Sequence, residues 1–115
     1  MVVTHVNELN KGNDVNMNIV CKSIDEVRFN IDALDRKIVA LIAERGGFVK
    51  QAARFKKTTD DVKAPVRVEQ VIDKVRGMAA ELGGNAEVTE AVYRAMISAF
   101  IAAELEEHAE LNSGR

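Results

Sequence analysis

Apolar residues between positions 24 and 56 recur with spacings that alternate four and three, Val27, Ile31, Leu34, Ile38, Leu41, Phe48, Ala52 and Phe55, with position 45 as the one non-apolar step between Leu41 and Phe48. That is the heptad rhythm of a helix packed along its whole length, sustained for about nine turns. Ser23-Ile24-Asp25-Glu26 opens it as a capping box: the Ser23 hydroxyl can accept from the Glu26 amide while the Glu26 side chain reaches back. The first helix is therefore predicted from Ile24 to about Lys56. Gly46 and Gly47 fall inside it, each costing roughly 1 kcal/mol relative to alanine. They mark a place for a kink, although the seam keeps its phase across the pair.

Residues 57–64 read as a polar connector. Pro65 suits the first turn of a second helix, where its missing N–H is not needed. Val68, Val71, Ile72, Val75, Met78, Ala79 and Leu82 trace one face of that helix, and Gly83-Gly84 ends it. Asn85 can cap a third helix with the apolar face Val88, Val92, Ala95, Met96, Ala99, Phe100 and Ala103, fading near Glu110. Residues 1–22 are polar, rich in Asn and without a period, and read as a mobile tail; residues 111–115 read as a frayed end. No strand signal interrupts this pattern. The fold class is all-α: three helices, the first very long, in one domain over residues 23–110.

The length of the first helix has a consequence. About 33 residues make a rod of ~50 Å, whereas a compact globule of this chain length is only ~35 Å across. Two shorter helices cannot cover both ends of the seam, and an uncovered apolar strip marks an interface. An intertwined homodimer, with the two long helices packed together, is the expected remedy.

Charge enters at the seam itself. Arg45 occupies a position where an apolar residue belongs, and Arg28 and Lys56 flank the seam at either end. A cation facing a core must be paired or hold a ligand. Arg45 and Lys56 are eleven positions apart, on one face and about 16 Å along a helix axis, so two long side chains can converge on one small ligand. Arg28 is about 25 Å from Arg45 on a straight helix. It can join the same pocket only from the other chain of an antiparallel pair. Arg67, in the first turn of the second helix, adds a fourth cation. Arginine suits carboxylates because its planar fork makes two parallel hydrogen bonds, so the expected guest is a small dianion. The plainer reading is that helical Arg and Lys are solvated, with Asp35 and Glu44 as neutralising neighbours. By spacing alone, an enzyme and a helical binding module are equally served.

Composition removes other classes. A net charge of −2 and aromatics at 4% without Trp leave no basis for phosphate-driven or base-stacking recognition of nucleic acid. A helical DNA reader would need a basic recognition helix, but Glu69 and Asp73 interrupt Arg67, Lys74 and Arg76. His5 and His108 lie far apart with no cluster at metal-ligand spacing, so no metal is expected. Cys21 stands alone, the start lacks a signal-peptide stretch and no segment is suited to a bilayer; a cytoplasmic protein without membrane contact is expected.

The run Val27-Arg28-Phe29-Asn30-Ile31-Asp32-Ala33-Leu34-Asp35, followed by Ile38-Val39-Ala40-Leu41-Ile42-Ala43-Glu44-Arg45, resembles the opening of the all-helical, type II chorismate mutase family. Phe48-Val49-Lys50-Gln51-Ala52-Ala53-Arg54-Phe55-Lys56 and Ala64-Pro65-Val66-Arg67-Val68 are most similar to its branch that includes isochorismate pyruvate lyase. The likeness covers about residues 23–108, with all four cations in register. It implies an intertwined dimer of three-helix chains with two equivalent sites and no cofactor. Carried over by position, it implies that Arg28 is contributed across the dimer and that Arg45 and Arg67 bind substrate carboxylates. It further implies that Lys56 contacts a carboxylate and the ether oxygen of the enolpyruvyl group, with Ile101 against the ring and Glu104 beside that oxygen.

Two activities follow from the resemblance: rearrangement of chorismate to prephenate, placed first, and elimination of pyruvate from isochorismate to give salicylate. Both are pericyclic and need no nucleophile, only a compact conformer held in place and donors aimed at charge developing on the ether oxygen. Mutases of this fold carry acidic residues where Ala64 and Val68 stand, and there this chain agrees with the lyase. Glu104 departs from the lyase and from several similar mutases, which carry Gln, and agrees with other mutases of the same fold, which carry Glu. A carboxylate there must be protonated to assist, so activity is expected to fall as pH rises through its ionisation. The plainer reading of Glu104 is a solvated residue beside Glu106 and Glu107. A non-catalytic helical dimer that binds a carboxylate metabolite is the alternative of a different class.

Overall fold

A computed structural model describes residues 19–113, with side chains over residues 19–110. The described residues fall into two units that part after Ile42. Their elements are α1 (Ile24–Ala53), α2 (Thr59–Lys63), α3 (Pro65–Glu81) and α4 (Ala86–Ser113). Among the described residues there is no strand, so the chain is all-helical with three long helices, as its pattern predicts. The expected mobile tail lies outside the described residues as far as residue 18. Of the expected frayed end, residues 111–113 continue α4 and residues 114–115 lie outside.

In the first unit, the Glu26 amide donates to Ser23 Oγ at 3.1 Å, as the capping box requires. The Glu26 carboxylate reaches one residue further back than expected and accepts from the Lys22 N–H at 3.0 Å. The helix that follows buries none of its residues in the chain by itself. Val27, Ile31, Leu34, Ile38 and Leu41, the predicted seam, are all exposed.

The end of α1 corrects the sequence reading, which carries the helix to Lys56. Arg54, Phe55 and Lys56 donate to the carbonyls of Gln51, Ala52 and Ala53, each three residues back, at 3.0–3.1 Å. The chain tightens into 3₁₀ turns, advancing about 20° more per residue than an α-helix. Phe55 is thereby 83% exposed. The cause is the next element. The Asp61 carboxylate accepts from the amides of Lys57 and Thr58 at 3.0 and 3.2 Å, and Thr58 Oγ1 accepts from the Asp61 amide at 3.1 Å. Once held by Asp61, those amides are not free to continue α1. The connector read as irregular is thus a capped helical turn, α2, and its backbone donors hold the Asp61 carboxyl below the usual carboxylate range.

Ala64 closes α2 and opens α3 in the left-handed region, at φ 39° and ψ 60°. Proline disfavours right-handed helix in the residue before it; a sharp corner there lets Pro65 begin a new helix in a new direction. α3 ends where Gly83, at φ 78°, donates to the Ala80 carbonyl and Gly84 to that of Ala79, the Schellman pattern. Asn85 then caps α4 through Oδ1, accepting from the amides of Glu87 and Val88 at 2.9 and 3.1 Å.

The core of the second unit is small: Val62 of α2 with Val71, Ile72, Val75 and Ala79 of α3. α4 packs on α3 and α2. Five charged side chains reinforce the α3–α4 pair: Arg94 forks onto both carboxylate oxygens of Glu69 at 2.9 Å, shares Glu90 with Arg76, and Arg76 also reaches Glu87. These pairs hold the Glu69 and Glu90 carboxyls below their usual range, each chiefly through its hydrogen bond to Arg94. The predicted apolar face of α4 is turned inward only in part. Met96 and Phe100 are half-buried as expected, whereas Val88, Val92, Ala95, Ala99 and Ala103 are exposed; Tyr93 and Ile97 are half-buried and Glu104 buried in their place. α4 is apolar around much of its circumference, and the rest of one chain can cover only one side.

Candidate active site

The second unit holds a half-open cavity of about 380 Å³, within the range of small-molecule sites. Arg45, Phe48, Val49 and Ala52 of α1 line one side, Val62, Lys63 and Ala64 the α2 corner, and Arg67, Val68 and Val71 the start of α3. Ile97, Phe100, Ile101 and Glu104 of α4 form the remaining wall. Of the six residues singled out from sequence, five therefore meet: Arg45, Lys56, Arg67, Ile101 and Glu104. Arg28 belongs to the first unit, where it is exposed.

Each cation arrives by a different route. Arg45 projects from α1, its guanidinium 5.7 Å from the centre of the Tyr93 ring, close enough for an attraction that also orients the fork. Lys56 reaches the cavity from the 3₁₀ turn beyond α1, not from a continuous helix. Arg67 sits in the first turn of α3, put there by the Ala64 corner. Lys63, which the sequence reading left in a connector, is a fourth lining cation. The pattern Thr58-x-x-Asp61 is a capping box that would have placed it at the end of a short helix.

Against four cations stands one carboxylate. Glu104 is the buried charged residue of the described chain, at 8% exposure. Its Oε2 accepts from Lys56 Nζ at 3.5 Å, with the two side chains 9% and 23% exposed. A solvated Glu104 beside Glu106 and Glu107 is thus overturned: α4 turns Glu104 inward while those two are exposed. The lining thus combines an excess of cations with apolar surface, to which α4 contributes Ile97, Phe100 and Ile101. A guest with two carboxylates and an apolar ring would satisfy both.

Fold and cavity define an all-helical protein with a cationic, small-molecule-sized pocket. Residues 27–105 match the family described as Chorismate mutase type II. Over 85 residues the chain is 31% identical to the isochorismate pyruvate lyase of Pseudomonas aeruginosa, an alignment covering 74% of this chain and 84% of that protein. The chain belongs to the type II chorismate mutase family.

Proposed function

We propose that the protein is a chorismate mutase, rearranging chorismate to prephenate without a cofactor, in a site completed by a second copy of the chain. The observation that carries this is the meeting of Arg45, Lys56, Arg67 and Glu104 around one cavity. The two arginines hold the substrate carboxylates, so the guest is confined to the compact conformer that reacts. Lys56 donates to the ether oxygen as charge develops there. Because Lys56 Nζ and Glu104 Oε2 are 3.5 Å apart, the ether oxygen can lie beside both side chains. Ile101 lies against the ring.

The homodimer is part of the same proposal. The exposed seam of α1 and the exposed stripe of α4 are the apolar surface a second copy would cover, and Arg28 of that copy would complete the cluster. The lone Cys21 supports a reducing, cytoplasmic setting; among the described residues no helix is long and apolar enough to cross a membrane.

Isochorismate pyruvate lyase is the second reading. The similarity to the Pseudomonas lyase favours it, as do Ala64 and Val68 on the cavity wall, where mutases carry acidic residues. Purified protein incubated separately with chorismate and isochorismate decides between them. Prephenate from the first supports the mutase, and salicylate with pyruvate from the second alone supports the lyase. Turnover of neither, with tight binding of a dicarboxylate, favours a non-catalytic binding dimer.

A further inference from the structure

We infer that Gly46 is a specificity-determining residue of this site: its missing side chain leaves a notch on α1 that receives the Phe100 ring, and this sets how much of the cavity a ring-bearing guest can use. The inference rests on the substrate class proposed above.

A Cβ built on Gly46 would lie 2.9 Å from Cε1 and 3.0 Å from Cζ of Phe100, whereas one on Gly47 meets nothing within 4 Å. Two adjacent glycines thus differ in kind. Glycine in a helix costs roughly 1 kcal/mol relative to alanine, and at Gly46 the close approach of an aromatic ring gives that cost a purpose. Phe100 is also a wall of the cavity, between Ile97 and Ile101. Its two atoms at the notch are the far end of a side chain, so a methyl group at position 46 moves the ring, not the backbone. Packed neighbours resist displacement and empty space does not, so the ring moves toward the cavity. It then occupies volume in the cavity that Arg45, Lys56 and Arg67 also line, without altering any charge.

The selectivity this predicts is for shape. A guest whose ring rests on Phe100 loses its seat, whereas a small dicarboxylate held only by the cations does not. Excluding a guest by about one methylene in an apolar pocket is worth roughly tenfold.

The test compares Gly46→Ala, Phe100→Leu and the double variant with wild type, using whichever of chorismate or isochorismate the wild type turns over, and malonate as competitive inhibitor. Gly46→Ala is expected to raise KM about tenfold, with a smaller change in kcat and the malonate inhibition constant unchanged. Adding Phe100→Leu, which removes the ring, should return KM toward wild type. An unchanged KM in folded Gly46→Ala overturns the inference alone. So does a malonate constant rising in parallel with KM, which would mean that the cations had moved, and so does a double variant no better than the single. A wild type that turns over neither substrate overturns the functional reading and this inference together.

Discussion

The seam of α1 meets different fates on the two sides of Ile42. Before it, Val27, Ile31, Leu34, Ile38 and Leu41 are exposed and do not line the cavity; after it, Phe48 and Ala52 do, while Phe48 stays 65% exposed and Phe55 83%. The heptad rhythm is the same in both stretches. A heptad therefore states that a helix face is to be covered and is silent on which chain covers it. Beyond Ile42, Phe48 and Ala52 line one side of the cavity together with Arg45, although both apolar residues keep an exposed face. Before Ile42, we propose, a second copy covers the seam.

The largest effect should come from breaking that proposed cover. Leu34→Glu places an unpaired charge in an apolar interface, and the chain should then sediment as a monomer with turnover lost. A dimer that persists with full activity would remove the seam from the interface. Lys56→Ala should lower kcat/KM about 100- to 1,000-fold, the usual cost of one donor at a developing charge, with the helical circular dichroism spectrum intact.

The two regions can then be tested against each other. Arg28→Ala and Lys56→Ala, each nearly inactive, are co-refolded. If each site takes Arg28 from one chain and Lys56 from the other, half the dimers are mixed and each has one intact site, so roughly a quarter of wild-type turnover should return. No recovery would mean that both residues act from one chain.

A smaller effect concerns Glu104. Glu104→Ala should lower kcat/KM about 100-fold, whereas Glu104→Gln, which keeps a polar group there, should retain most of the activity; an unchanged rate in Glu104→Ala would exclude that role. The smallest effect is on stability and belongs to the second unit. Folding holds the carboxyls of Asp61, Glu69 and Glu90 below their ordinary values. Their contribution is therefore complete above the unfolded-state value and is lost as pH falls through the folded one. Melting temperature should be flat near neutrality and decline below about pH 4, less steeply in Glu69→Gln, with the pairs solvent-screened and individually weak.

Much of the architecture was legible in advance because its signals are local. The Ser23 and Asn85 caps, Pro65 at the start of α3 and Gly83-Gly84 at its end each act within one turn of chain. The family resemblance likewise identified the five residues that share the cavity. Less legible was what depends on competition between neighbours. Asp61 draws the amides of Lys57 and Thr58 from α1, so Lys56 reaches Glu104 from a turn and not from a helix. Lys63 escaped notice for the same reason. The paired glycines looked alike because a helix pattern carries no record of an aromatic ring arriving from more than fifty positions away; the Phe100 contact separates them.

By itself, then, the sequence determined that the chain is helical, where its long helices begin, and which cations lie on faces that must be covered. Those properties follow from backbone hydrogen bonding and side-chain period over a few residues. Only the tertiary structure decided that Lys56 and Glu104 lie within 3.5 Å of each other, that α4 turns Tyr93 and Ile97 inward while Val88 and Val92 face outward, and that Gly46 is a notch. Those depend on where one helix lies across another. A small rotation of α4 would keep its apolar periodicity and change every one of them.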